Sequence, residues 1–183
     1  IYGLFGKSGK GKTTLLNIIS GLIKPKSGNI LINNKKIKSQ EIYNTYKIGL
    51  LNQEPYILEG SIFENIIFNF NNEEKKNNQD VQKIQKLFIK FNLRKYSNKK
   101  TLNDNNFSLN KKLSGGEKQR ISFIRCIYNN PDVIILDEPT AALDKKNEGI
   151  LIKFLKNYKK NKIIILTTHR NYLIKHLDKV IKV

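Results

Sequence analysis

The sequence has no methionine and no tryptophan, a single cysteine and few acidic residues. The lone Cys126 cannot form a disulfide within the chain, so we expect a reducing, cytosolic environment rather than secretion. Apolar residues make up 39% of the 183 positions, yet no apolar run approaches the roughly 18 residues of a membrane-spanning helix. Because the chain begins at Ile1 and lacks methionine, we expect it to be a piece of a longer protein.

The chain carries 34 basic and 15 acidic residues, a formal net charge of +19. Such an excess is typical of proteins that bind nucleic acids or anionic membranes. However, the chain contains 30 lysines, 24 asparagines and 27 isoleucines, all with A/T-rich codons, so codon bias explains the basicity. The lysines are scattered, and no basic helix face alternates with aromatic residues. We therefore predict no specific nucleic-acid partner.

Short aliphatic runs alternate with amphipathic stretches, which predicts an α/β fold with a mainly parallel sheet. Buried strands are predicted at 1–5, 133–137 and 163–167, and further extended segments at 28–32 and 46–51. The apolar spacing predicts helices over 12–21, 79–92 and 145–158. The stretch 69–79 is poor in apolar residues and is predicted to be a solvated loop.

A glycine-rich segment follows the first predicted strand and precedes a predicted helix. It reads Gly6-Lys7-Ser8-Gly9-Lys10-Gly11-Lys12-Thr13, followed by Thr14, and fits the phosphate-loop pattern G-x-x-x-x-G-K-S/T. The glycines allow successive backbone N–H groups to curl around a phosphate chain at the positive end of the helix. Lys12 is then expected to reach the β and γ phosphates, and the Thr13 hydroxyl to bind Mg²⁺.

A second signal is the aliphatic strand that ends in Asp137 and Glu138. A continuous aliphatic run is typical of a parallel strand buried on both faces, and its carboxyl end is expected beside the phosphate loop. Asp137 is then placed to hold Mg²⁺, mostly through water. Glu138 can orient and polarise an attacking water molecule. The two carboxylates therefore predict hydrolysis of the bound nucleotide.

The segment Leu113-Ser114-Gly115-Gly116-Glu117-Lys118-Gln119-Arg120 matches the signature sequence of the ATP-binding cassette (ABC) ATPases. With the phosphate loop and the acidic strand end, it makes the chain resemble this family over nearly its whole length. Ser114 and the two glycines form a second helix start suited to an anion. The resemblance implies that the signature of one cassette closes on the γ-phosphate held by an opposite cassette.

The resemblance extends to three further elements in the family's order. Gln53 resembles the Q-loop glutamine, Ala141 to Asp144 resembles the D-loop of the dimer interface, and His169 resembles the switch histidine that contacts the γ-phosphate. The resemblance implies catalytic roles for Lys12, Gln53, Glu138 and His169. It implies metal binding by Thr13, Gln53 and Asp137, and nucleotide contacts from 6–14, 114–116 and Asp144.

The resemblance also implies the fold and the cellular role. We expect a P-loop NTPase of the ABC type: one ABC ATPase domain over 1–183, with its core at 1–60 and 126–183 and a helical subdomain at about 61–125. We expect it to use ATP and Mg²⁺, to pair with a second cassette, and to drive a transmembrane domain at the cytoplasmic face of a membrane. Since five residues precede Gly6, the aromatic residue that stacks on adenine in this family is expected outside this chain.

Transport direction and substrate stay open. The segment 61–66 and the triplet Thr168-His169-Arg170 resemble the exporter branch. In contrast, 106–112 lacks the glycine-containing element that precedes the signature in exporters, and Pro139 follows Glu138 where exporters have alanine.

Two alternatives belong to other classes of function. A soluble ABC ATPase acting on nucleic acid or the ribosome agrees with the charge of +19. DNA-repair members, however, separate the loop from the signature by long coiled coils, and only 101 residues separate Lys12 from Leu113. A cassette that only binds nucleotide is disfavoured because no catalytic position is substituted.

Overall fold

The computed structural model describes residues 1–68, 78–104 and 113–183. These residues form two compact units. The first comprises Ile1–Gln53, Asn129–Pro139 and Leu155–Val183, and the second comprises Glu54–Tyr128 and Thr140–Phe154. Among the described residues, no helix combines the length and the apolar character that crossing a membrane requires. Of the loop predicted at 69–79, residues 69–77 lie outside the described residues, whereas Asn78 and Gln79 belong to the helix Asn78–Lys90. The glycine-free segment 106–112 also lies outside the described residues.

The strands are β1 (Tyr2–Phe5), β2 (Ile30–Ile32), β3 (Lys35–Ile37), β4 (Ile48–Leu51), β5 (Val133–Leu136), β6 (Ile163–Thr168) and β7 (Lys179–Lys182). The α-helices are α1 (Lys12–Ile19), α2 (Ser39–Thr45), α3 (Ile62–Ile67), α4 (Asn78–Lys90), α5 (Lys99–Leu102), α6 (Gly115–Tyr128) and α7 (Lys145–Tyr158). Short 3-10 helices cover Arg94–Tyr96 and Asn171–His176.

The first unit is built on a parallel sheet with the strand order β4-β5-β6-β1-β7. Each pair of neighbouring strands runs parallel. The register places Leu136 between Leu51 of β4 and Leu166 of β6. The carboxyl ends of these three strands therefore lie side by side, and the polar residues that follow them meet at one edge. The predicted α/β class with a parallel sheet is confirmed.

The aliphatic runs form the core of the first unit. Ile134, Ile135 and Leu136 of β5 are fully buried, as expected for a central strand covered on both faces. Leu16 of α1 packs with Leu4 of β1 and Ile135. This packing fixes the start of α1, and with it the end of the glycine-rich loop, against the sheet.

A β-hairpin lies apart from the main sheet. β2 and β3 pair antiparallel, with Ile30 opposite Ile37. Asn33 and Asn34 form the two-residue turn, with φ angles of 50° and 62° that asparagine tolerates better than most residues. The extended segment predicted at 28–32 is thus present as Ile30–Ile32, but its partner strand was not predicted.

The second unit is helical and has an aromatic core. The ring centroid of Phe91 lies 5.2 Å from that of Phe123 and 5.2 Å from that of Phe154, both in edge-to-face geometry. Phe154 lies in α7, so the segment 140–154 packs in this unit, although the sequence placed it in the core. Cys126 is buried in α6, which agrees with a packing role, and burial raises the pKa of its thiol.

Arg125 of α6 holds the segment that leads into α3. Its guanidinium donates to the Asn65 backbone oxygen at 2.6 Å, to Asn65 Oδ1 at 2.8 Å and to the Tyr56 backbone oxygen at 2.8 Å. The helix itself starts with a capping box: Glu64 N–H donates to Ser61 Oγ at 3.2 Å, and Ser61 N–H to Glu64 Oε2 at 2.8 Å. The segment from Tyr56 to Asn65 is therefore fixed at several points.

Candidate functional site

The glycine-rich loop connects β1 to α1 in the first unit. Gly9 and Gly11 have φ angles of 78° and 82°, in the left-handed region where glycine is favoured. The Lys12 side chain is buried, and its ammonium donates to the carbonyl oxygens of Gly6 at 2.9 Å and Lys7 at 2.8 Å. The side chains of Lys7, Ser8 and Lys10 are exposed. The loop therefore curls around a lysine ammonium, directly before a helix start.

Asp137 lies at the centre of a hydrogen-bonded group that joins the loop to the sheet. Thr13 Oγ1 donates to Asp137 Oδ2 at 2.6 Å, and Thr167 Oγ1 donates to Asp137 Oδ1. The Asp137 side chain is buried, since the residue is only 4% exposed. The structure thus brings together the predicted metal-binding residues Thr13 and Asp137.

Thr167 was not among the predicted site residues. Its hydroxyl donates to Asp137 and accepts from Glu138 N–H at 2.8 Å, so it orients both carboxylate-bearing residues. The sequence held one signal for it: two threonines, at 167 and 168, follow a run of aliphatic residues at the carboxyl end of a strand.

Glu138 and His169 form a contact at the same edge of the sheet. His169 Nδ1 lies 3.1 Å from Glu138 Oε1. The Glu138 side chain is 13% exposed, whereas that of His169 is 55% exposed. Glu138 has a φ of 44°, a left-handed conformation that is costly for a residue with a side chain. The geometry joins two of the four residues predicted to be catalytic.

Gln53 follows β4 by two residues, at the same edge of the sheet. Its side chain is exposed, and it makes no hydrogen bond to any described residue. Asp137 N–H donates to the Leu51 backbone oxygen at 2.8 Å, so the strand leading to Gln53 is adjacent to Asp137.

The signature segment belongs to the second unit, where it starts α6. Ser114 and Glu117 form a capping box: Ser114 N–H donates to Glu117 Oε2 at 2.9 Å, and Glu117 N–H to Ser114 Oγ at 3.3 Å. Ser114 and Gly115 are exposed. Their backbone and hydroxyl groups therefore face solvent at a helix start, where an anion is stabilised.

Asp144 caps α7. Its Oδ1 accepts from Asn147 N–H at 2.8 Å and its Oδ2 from Asn147 Nδ2 at 2.8 Å. The backbone hydrogen bond from Asn147 is the main reason that the pKa of Asp144 lies below its ordinary value. Both carboxylate oxygens of Asp144 therefore accept hydrogen bonds that cap the helix. The resemblance implies a nucleotide contact for this residue as well.

The signature helix packs against the segment that resembles the D-loop. Gln119 Oε1 accepts from Ala142 N–H at 3.0 Å. A Cβ on Gly116 would lie only 2.8 Å from the Ala142 backbone oxygen, whereas a Cβ on Gly115 would meet only the Ala142 Cβ at 3.7 Å. The close approach of the two backbones therefore requires glycine at 116 and tolerates alanine at 115.

We expect Gly116→Ala to lower the free energy of unfolding by about 1–3 kcal/mol, the usual range for overpacking. Gly115→Ala is the matched control and should leave stability unchanged or slightly raised, because alanine favours helix. Urea unfolding of both variants measures the difference. Equal stabilities would show that the 116 position has room for a methyl group.

The phosphate loop encloses the Lys12 ammonium, and the next residue, Thr13, contacts Asp137 at the end of a strand. This arrangement is typical of nucleotide-binding proteins of the P-loop class. Comparison with protein families identifies the branch. The family model described as ABC transporter matches residues 1–141, so the chain belongs to the ABC transporter family.

Three known proteins illustrate the similarity. The chain is 35% identical to a probable ABC transporter ATP-binding/permease protein of Haemophilus influenzae, over 99% of this chain and 32% of that protein. It is 33% identical to the lipoprotein-releasing system ATP-binding protein LolD of Buchnera aphidicola, over 100% of this chain and 80% of that protein. Among solved structures, a dimeric ATP-binding cassette bound to ADP and Pi is 27% identical, with a TM-score of 0.80, and the match covers 100% of this chain and 80% of that one.

Proposed function

We propose that the chain hydrolyses ATP with Mg²⁺ at an interface between two cassettes and thereby drives a membrane transporter. The observation that supports this most is the cluster at the carboxyl ends of β5 and β6. There Asp137 bonds to Thr13 of the phosphate loop, and the adjacent Glu138 contacts His169. A triphosphate-binding loop and a water-orienting carboxylate thus share one site.

Phosphoryl transfer depends mainly on positioning and on charge stabilisation, and the loop supplies both. The backbone N–H groups of 6–14 surround the β-phosphate and the Lys12 ammonium binds the β and γ phosphates. Lys12 is buried, so its charge is poorly screened by water and acts strongly on the phosphates.

The oxygen atoms of Thr13 and Asp137 fit Mg²⁺, which prefers hard oxygen ligands. The Thr13 hydroxyl donates its hydrogen to Asp137, so an oxygen lone pair remains for the metal. Gln53, at the end of the neighbouring strand, supplies a further amide oxygen. When bound, Mg²⁺ neutralises charge on the triphosphate.

Glu138 is the group that orients the attacking water and accepts its proton. Its backbone is held by Thr167, and His169 Nδ1 lies 3.1 Å from its carboxylate oxygen Oε1. His169 is largely exposed, so its other ring nitrogen is accessible to the γ-phosphate. The two residues therefore act at the same terminal phosphate: Glu138 on the attacking water and His169 on the γ-phosphate itself.

The second cassette supplies Ser114, Gly115 and Gly116 to the triphosphate, and Asp144 lies at the same interface. A relative of known structure is a dimer with ADP and Pi bound, which supports a paired arrangement here. Residues 1–183 then make up one ABC ATPase domain, whose helical part extends beyond the expected 61–125 to 54–128 and 140–154.

The relatives are transport proteins, which favours a transporter over the alternative role on nucleic acid or the ribosome. The Haemophilus relative is named as a probable ATP-binding/permease protein, and the present chain covers 32% of that protein. We place the cassette at the cytoplasmic face of a membrane, in contact with a transmembrane domain.

The surface for that domain is the segment 54–65 and the residue that follows α3. Tyr56 is 70% exposed and Phe68 is 60% exposed. Arg125 bonds to the Tyr56 backbone and lies 5.5 Å from the Phe68 ring centroid. Exposed aromatic rings held on a fixed backbone are typical of protein interfaces. Phe63, by contrast, is buried and contributes to the core of this unit.

The membrane partner can be tested by photo-cross-linking in the full-length protein. A photoreactive residue in place of Tyr56 should capture a cytoplasmic loop of the transmembrane domain. The same photoreactive residue in place of Leu31, which is 61% exposed but lies on the β2-β3 hairpin, is the control and should not capture this loop. Capture of ribosomal RNA or ribosomal protein from Tyr56, or equal capture from Leu31, would contradict the transporter assignment.

A further inference from the structure

Glu117 is a buried carboxylate placed directly at the phosphate-binding start of α6. The residue is only 8% exposed, and its Oε2 accepts from Ser114 N–H. A negative charge at a helix start stabilises the helix itself. The same charge opposes any phosphate that approaches Ser114, because like charges repel most strongly where water is excluded.

The capping box also determines what Ser114 can offer to a ligand. Ser114 Oγ already accepts a hydrogen bond from Glu117 N–H. Its hydroxyl hydrogen therefore remains available to be donated outward, and a phosphate oxygen is an acceptor. Glu117 thus leaves the Ser114 hydroxyl free to donate, but its carboxylate also places a negative charge beside the phosphate-binding site.

The 3-10 helix Arg94–Tyr96 supplies the compensating charge. Lys95 Nζ lies 2.6 Å from Glu117 Oε1, and Tyr96 OH donates to Glu117 Oε2 at 3.3 Å. Lys95 also lies 4.7 Å from the Tyr96 ring centroid, a cation–π contact. The Lys95 and Tyr96 side chains therefore approach the carboxylate together.

A further charge near Glu117 is Arg120, in the same helix, which also interacts with Asp144 at the start of α7. Arg120 is buried, and the electrostatic attraction of both carboxylates acts on its guanidinium. Lys95 is the cation that bonds directly to Glu117. Burial raises the pKa of Glu117, but the hydrogen bonds from Lys95 and Ser114 outweigh this and leave the pKa below its ordinary value.

We propose that Lys95 is a positioning residue for the signature: its ammonium neutralises Glu117, so that the capping box can make Ser114 a donor without repelling the triphosphate. This inference rests on the proposed function, in which Ser114 meets the ATP held by a second cassette. Lys95 does not touch ATP itself. Its effect reaches the nucleotide through Glu117 and Ser114.

The test uses the full-length protein carrying Glu138→Gln, and measures the ATP concentration that gives half-maximal retention of ATP after gel filtration. Lys95→Ala should raise this concentration by roughly twofold to fivefold, the scale of a partly exposed ion pair. The shift should shrink in 1 M KCl, because salt screens the uncompensated charge. Lys159→Ala is the matched control: it removes a partly exposed lysine from an ion pair with Asp178 in the first unit and should cause no shift.

The decisive variant is the double change Lys95→Ala with Glu117→Gln. Glutamine keeps the oxygen that accepts from Ser114 N–H and removes the negative charge, so ATP retention should return to the starting value. A merely structural role of Lys95 predicts no such rescue. If Glu138→Gln retains ATP but Lys95→Ala has no effect, or the double change does not restore retention, the role of Lys95 is wrong. If Glu138→Gln itself retains no ATP, the failure lies in the proposed two-cassette site.

Discussion

Glu138→Gln should reduce ATP hydrolysis by about a hundredfold or more, the usual contribution of a general base. The amide has nearly the shape of the carboxylate, so the backbone bond to Thr167 and the binding loop are preserved. It cannot accept a proton from water. The protein should therefore bind ATP, assemble with the second cassette and remain there with ATP unhydrolysed.

The measurements are phosphate release and the identity of the nucleotide that the full-length protein retains after gel filtration. Retained nucleotide should be ATP in the variant and ADP in the unmodified protein. Glu41→Gln is the control, because Glu41 is an exposed glutamate whose carboxylate accepts from Lys38 N–H, a bond that glutamine also makes. A variant that hydrolyses ATP at the normal rate would remove Glu138 from the mechanism, and one that retains no nucleotide would contradict the two-cassette site.

Lys12→Ala should weaken ATP binding by about 1.5–3 kcal/mol, the range for hydrogen bonds to charged groups. This corresponds to an increase in Kd of roughly tenfold to a hundredfold. Two effects add: the phosphates lose an ammonium, and the carbonyl oxygens of Gly6 and Lys7 lose their shared donor, which loosens the loop.

Calorimetric titration with ATP measures this change. Lys24→Ala removes the same charge from an exposed site beyond α1 and should bind ATP normally. A thermal unfolding midpoint within a few degrees of the unmodified protein would show that Lys12→Ala has not simply unfolded. Equal ATP affinity in the two lysine variants would exclude Lys12 from the binding site.

Local sequence patterns predicted those elements of the site that are formed by residues adjacent in the sequence. The phosphate loop, the strand ending at Leu136 and the helix Lys145–Tyr158 all follow from turn residues and apolar period. The contact of Thr13 with Asp137, in contrast, joins residues far apart in sequence. The sequence predicted only that Asp137 lies beside the phosphate loop, because parallel strands align their carboxyl ends.

Contacts that depend on tertiary packing were not predictable. Lys95 is one of 30 lysines, and nothing local distinguishes it from the others until the chain brings it to Glu117. Arg125 likewise acts on Asn65, which lies sixty positions away. The capping box of Ser114 and Glu117 is different, because the spacing S-x-x-E is visible in the sequence. The cap itself was not predicted, because the match to the family signature assigned Ser114 to phosphate binding only.

The backbone of Glu138 has a consequence for how this protein can change over time. With a φ of 44°, the position suits glycine, and a side chain there costs about 1–2 kcal/mol. Selection for thermal stability alone would therefore favour glycine in place of the glutamate. Selection for hydrolysis keeps it. Thermal stability and catalytic turnover therefore make opposite demands on position 138. Engineering for higher stability should keep Glu138 and change other positions.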